Sequence, residues 1–123
     1  MAIALTMVGC DVTLSKTRLM VKLALSGNYP AGGDTIDFTP LLGQGDQMQI
    51  FIANNPALQG DVSTSAGTGT GWIGSFIPGT TIQNGKIKWI VTSTGAEHAT
   101  GAYTSQLAAD PNINGEFVFE KLL

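Results

Sequence analysis

Apolar and polar residues alternate along most of this chain with a period of two, the mark of strands that bury one face. Over 18–25, Leu19, Val21, Leu23 and Leu25 share one face, and Met20, Lys22 and Ala24 take the other. Over 47–53, Met48, Ile50 and Ile52 oppose Gln47, Gln49 and Phe51. Over 86–92, Ile87, Trp89 and Val91 oppose Lys86, Lys88 and Ile90. The same reading sets Phe117 and Phe119 against Glu116, Val118 and Glu120, and Ile36 and Phe38 against Asp37. Segments 3–8 and 72–77 also read as strands, with less distinct faces. No segment is a strong helix candidate. The stretch 100–109 mixes helix formers with Tyr103 and hydroxyl residues, and 40–42 suits a single helical turn.

Punctuation between these segments fits short strands. Asn84-Gly85 stands between 80–82 and the strand that begins at Lys86, and Asn114-Gly115 precedes the last strand. Asn-Gly is a strong hairpin signal, because both central positions of a type I′ turn need positive φ. Gly32-Gly33-Asp34 and Asn28-Tyr29-Pro30 are further turns. Asp34 reads as a turn residue ahead of its strand. The expected fold is all-β: one domain over 1–123, an antiparallel β-sandwich or a jelly-roll-like barrel. Residues 60–71, rich in Gly and Thr, have no hydrophobic period. They read as a long exposed loop, or as one that orders against a neighbouring subunit.

Composition changes the picture. Only 15 of 123 residues are charged, 12%, against about 25% in an ordinary soluble domain. Gly (16 residues), Thr (14 residues) and apolar side chains take their place. Charge keeps an isolated domain apart from its neighbours, so a chain this poor in it is expected to cover its surface with other protein. Net charge is −3 and the six basic residues form no cluster, which argues against nucleic acid and against a basic membrane patch. No apolar run approaches a membrane span of about 20 residues. The N-terminal segment lacks the positive start of a secretory leader. Cys10 is the single cysteine; it reads as a small buried hydrophobe in a reducing cytoplasm.

Candidate chemistry is sparse. Gly67-Thr68-Gly69-Thr70-Gly71 lacks the Lys and the following helix of a phosphate loop. His98 is the only histidine and reads as a surface or turn residue after Glu97; no G-x-S-x-G elbow is present. One His and one Cys far apart do not make a zinc cluster. Asp34 and Asp37, three apart on a strand, point to opposite faces. No catalytic, metal or cofactor-binding residues are therefore assigned, and the chain reads as non-enzymatic. Trp72, Tyr29 and Tyr103 could supply the aromatic row of a carbohydrate-binding module, whereas Trp89 alternates with core residues. The candidate partner interface is Trp72 with Thr68 and Thr70 in the adjoining loop, and Ile3 and Leu5 in the N-terminal segment.

Gly32-Gly33-Asp34-Thr35-Ile36-Asp37-Phe38, followed later by Gly85-Lys86-Ile87-Lys88-Trp89 and by Glu97-x-x-x-Gly101-x-Tyr103, resembles small β-rich head-decoration (cement) proteins of tailed bacteriophages. The resemblance spans roughly 32–105. It implies a jelly-roll-like or related sandwich, a symmetric oligomer (trimer preferred, dimer possible) and the major capsid protein as partner. It also implies a place on the capsid surface of the virion after synthesis in the host cytoplasm. The alternatives are a tail or head–tail joining component, or the carbohydrate-binding module.

Overall fold

A computed structural model describes residues 3–12, 16–41, 56–64 and 71–120. The strands are β1 (Ile3–Val12), β2 (Lys16–Leu25), β3 (Asn28–Tyr29), β4 (Asp34–Ile36), β5 (Ala57–Ser63), β6 (Trp72–Ile77), β7 (Gly85–Val91), β8 (Gly101–Ala102) and β9 (Ile113–Glu120). A 3₁₀ turn, Thr39–Leu41, and a one-turn helix, α1 (Ser105–Ala108), complete the description. The fold is all-β, as the alternation predicts. Seven strands form one antiparallel sheet in the order β1-β2-β9-β5-β6-β7-β4, and β3 pairs with β8 in a small second sheet.

The large sheet curls until its edge strands, β1 and β4, touch. Opposite parts of it then face each other across one core, as the layers of a sandwich or the walls of a barrel do. Two register shifts help it bend, between Met7 and Gly9 on β1 and between Ala57 and Gln59 on β5. An extra residue in one strand sharpens local twist and curvature. β2 supplies Leu19, Val21, Leu23 and Leu25 to the interior, β7 supplies Ile87 and Trp89, and β9 supplies Phe117 and Phe119. Phe38 meets Phe117 and Phe119 edge-on, with ring centroids 4.9 and 5.1 Å apart, the geometry favoured by aromatic quadrupoles. Leu41 and Leu107 are fully buried where the 3₁₀ turn and α1 meet the core.

Several local expectations need correction. Residues 60–63 are the second half of β5 rather than loop; they are held between β9 and β6, where backbone pairing outweighs the weak strand propensity of Gly and Ser. Asn114-Gly115 lies inside β9, not before it, because both residues pair with β2 and β5. Asn84-Gly85 is not a type I′ turn, since no residue but Gly has positive φ among those described, and Gly85 is not one of the positive-φ glycines. Segment 80–82 is bend and turn. Instead, Asn84 organises a longer β6–β7 connection through its side chain. Its Oδ1 accepts from the N–H groups of Thr80 and Thr81 at 2.8 and 2.9 Å, and its Nδ2 donates to Thr80 Oγ1. The strand expected at 47–53 lies outside the described residues, as does the loop segment 65–70.

Candidate functional site

The residues of the three resemblance motifs meet in space. The chain turns at Gly32 and Gly33, with φ of 89° and 122°, values that L side chains avoid. A Cβ on Gly33 would also stand 3.1 Å from Lys86 Cβ. This turn aims the Gly32 N–H at Glu97 Oε2, 2.7 Å away; Tyr29 Oη donates to the same oxygen at 2.7 Å. On the neighbouring element, Tyr103 Oη donates to Asp34 Oδ2 at 2.6 Å. The rings of His98, Tyr29 and Tyr103 form a triangle, with centroids 5.0 Å (His98–Tyr29), 5.4 Å (His98–Tyr103) and 5.8 Å (Tyr29–Tyr103) apart, and the Trp72 ring meets His98 at a tilt of 40° with centroids 5.0 Å apart.

Electrostatics fit a clasp closed on itself. Hydrogen bonds from Tyr29 and from the Gly32 amide hold the Glu97 carboxyl below its ordinary range. Burial, reinforced by the carboxylate each one meets, pushes both phenols well above theirs. His98 is buried, not a surface residue. Its Nε2 accepts from the Thr104 N–H at 3.2 Å, which leaves Nδ1 protonated and donating to the Ala99 carbonyl at 2.6 Å. Both ring nitrogens are thus committed to backbone. Asp34 is likewise buried, and it is the first residue of β4 rather than a turn residue ahead of it. The cluster fastens the 29–34 segment and the β8 region onto β7, and the Trp89 amide reaches Tyr29 Oη at 3.4 Å.

The proposed aromatic row comes apart in the fold. Tyr29 and Tyr103 are buried, and Trp89 has no exposed surface. Trp72 remains half-buried, with its Nε1 donating to Gln106 Oε1 at 3.1 Å. Of the candidate interface residues, Ile3 is fully buried in the core and cannot meet a partner. It is the first inward position of β1, opposite Leu25. Leu5 and Cys10 are half-buried and pack against the same core. Thr68 and Thr70 lie outside the described residues.

Among the described residues, the large apolar side chains left exposed are Val8, Leu58, Ile73 and Ile77. Val8 and Leu58 sit at the two register shifts. Ile73 and Ile77 point outward from β6, whose inward positions are Trp72, Gly74 and Phe76. Apolar residues on both faces of 72–77 were the available signal, one that alternation alone does not resolve. A groove of about 270 Å³ opens on the outer side of the sheet, lined by Val8, Met20, Asp61, Ser63, Asn114 and Glu116 among others. Arg18 bridges Asp11 at 2.7 Å and Glu116 at 3.5 Å beside it. Among the described residues no three His, Cys, Asp or Glu side chains converge as metal ligands. No family model, curated protein or solved structure matches the chain.

Proposed function

We propose that this chain is a non-enzymatic structural protein of a tailed-bacteriophage virion, a decoration protein that binds the outer surface of the head through the major capsid protein. The observation that carries the reading is exposed apolar surface away from β6, at the two bulges, where Val8 and Leu58 are 60% and 44% exposed, on a chain with only 12% charged residues. Exposed apolar surface on a poorly charged body marks a protein-binding face. Glu97, Tyr29 and Tyr103 are hydrogen-bonded within the clasp, where they build the scaffold. An oligomer of the chain would make several weak subunit contacts with the shell at once, and these sum to high avidity.

The test is co-sedimentation of the purified chain with heads that lack it, at low salt and at about 0.5 M salt, where charge contacts are screened within a few ångströms. The chain should pellet with the heads under both conditions, because the contact is mainly apolar. A chain left in the supernatant under both conditions overturns the reading. A chain that pellets with purified tails and not with heads replaces decoration by a tail or joining role.

A further inference from the structure

Three residues run across the outer face of the sheet in one row. Asp61 on β5 pairs with Ser75 on β6, and Ser75 pairs with Lys88 on β7. The row reads negative, neutral, positive, centred on β6. Along β6 the neutral position is flanked by the exposed Ile73 on one side and Ile77 on the other. Ile73 is itself paired with the partly exposed Ile90. The result is an apolar ridge with an acid on one flank and a base on the other.

From this row we infer that the outer face of β6 binds a second copy of the chain about a two-fold axis parallel to the strand. Two sheets that pack face to face keep their strands nearly aligned and sit about 10 Å apart. Two axes lying between the sheets could relate the copies. An axis perpendicular to the strands sets β7 on β7 and β5 on β5, so Lys88 meets Lys88 and Asp61 meets Asp61. An axis parallel to β6 sets β5 of each copy under β7 of the other. Lys88 then meets Asp61 of the second copy twice, while Ile73, Ser75 and Ile77 lie on their own counterparts. Like charges brought together across an interface are strongly unfavourable, so charge selects the parallel axis. The contact is isologous and closed, the commonest form of homo-oligomer.

The surroundings accept this arrangement. Lys88 lies 3.9 Å from Glu97 of its own chain, a long contact that leaves the ammonium free to share a second carboxylate. Asp61 borders the groove walled by Val8 and Met20, which gives the aliphatic stem of an incoming lysine an apolar surface to lie on. The two-fold contact rests, like the decoration reading, on the premise that the chain is an assembly subunit. It stands where the resemblance implied a three-fold contact first.

Sedimentation equilibrium of the full chain and of three variants tests it. Wild type should dimerise, more weakly as salt rises. Asp61→Lys and Lys88→Glu each turn two attractions into two repulsions and should weaken dimerisation by about tenfold or more. Mixed together, the two variants should form a heterodimer tighter than either homodimer. The introduced lysine of one variant then faces the introduced glutamate of the other, while the unaltered Lys88 of the first still pairs with the unaltered Asp61 of the second. Ile73→Asp should abolish the dimer, and circular dichroism checks that each variant is folded. A wild type that stays monomeric, or variants that show no preference for the mixed pair, overturn the inference. The head-binding assay is read separately: a monomer that still pellets with heads refutes only this contact, and a dimer that ignores heads refutes only decoration.

Discussion

Alanine at Gly60 or Gly115 should destabilise the fold, although strand propensity alone argues the opposite. Glycine within a strand is worse than alanine by about 0.5–1 kcal/mol, so an unconstrained replacement would stabilise. Both glycines, however, face inward beneath the ring of Phe117, which is fully buried. A Cβ on Gly60 would stand 2.6 Å from Phe117 Cε1 and 3.1 Å from Phe76 Cδ2. A Cβ on Gly115 would stand 2.6 Å from Phe117 Cε2 and 2.9 Å from Leu23 Cδ1. Comfortable carbon contacts lie near 3.5–4.0 Å, so the ring would have to move by close to 1 Å. It has little room, since Phe38 and Phe76 abut it with centroids at 4.9 and 5.1 Å. Overpacking of this kind costs about 1–3 kcal/mol. Set against the propensity gain, the net loss centres on about 1 kcal/mol for each variant and reaches about 2.5 kcal/mol if the ring cannot shift. Urea unfolding followed by tryptophan fluorescence reads it directly. Adding Phe117→Leu to Gly60→Ala should recover part of the loss, giving a coupling of about 1 kcal/mol. A Gly60→Ala protein with a raised unfolding midpoint would refute the packing argument.

Trp89→Ala should cost about 3–5 kcal/mol in the same unfolding assay, because the indole is wholly buried beneath β6; a loss below about 1 kcal/mol would contradict core placement. Tyr103→Phe removes the donor to Asp34, whose residue is only 7% exposed, and should cost about 1–3 kcal/mol; an unchanged midpoint would deny the clasp an energetic role. The clasp also sets the pH range of stability. The Glu97 carboxyl is held below its ordinary 4.5, first by the Tyr29 hydroxyl, so its contribution is full above that pH and is lost as pH falls through the lower folded value. Tyr29 and Tyr103 are pushed above their ordinary 10.0, first by burial, so their contribution is full below pH 10 and is lost as pH rises further. Tyr29→Phe should move the acid limb of the stability profile toward Glu97's ordinary value, and a profile identical to wild type would show that Tyr29 does not set it.

The interior was largely legible in the sequence, and the surface was not. The period of two at Leu19–Leu25, Ile87–Trp89 and Phe117–Phe119 identifies the buried faces, because burial acts on each residue in place. The local signals that misled are those that depend on a neighbour. Asn114-Gly115 carries turn chemistry, yet it is pinned between β2 and β5. Its glycine makes room for Phe117, a requirement set by a ring two residues on and by a strand far away in sequence. His98 and Asp34 carry no local sign of burial. Both are drawn inside by partners far away in the chain or by backbone that returns beside them, as the 69-residue separation of Tyr103 and Asp34 shows.

Strand β6 ties the fold to the proposed assembly. A strand buried on one face reads as alternating, and a strand buried on both reads as continuously apolar. The sequence Trp72-Ile73-Gly74-Ser75-Phe76-Ile77 follows the second pattern, interrupted only by Gly74 and Ser75. Within the single chain it has only one buried side: Trp72, Gly74 and Phe76 pack inward, and Ile73 and Ile77 face water. Packing inside the chain explains the first set. The second set is left exposed despite its cross-strand neighbours, and its lone polar member, Ser75, occupies the neutral centre of the Asp61–Lys88 row. An isolated domain would gain solubility from a lysine or glutamate at either isoleucine. Apolar residues there, in a chain already short of charge, follow if the outer face of β6 is covered in the assembled particle by a second copy.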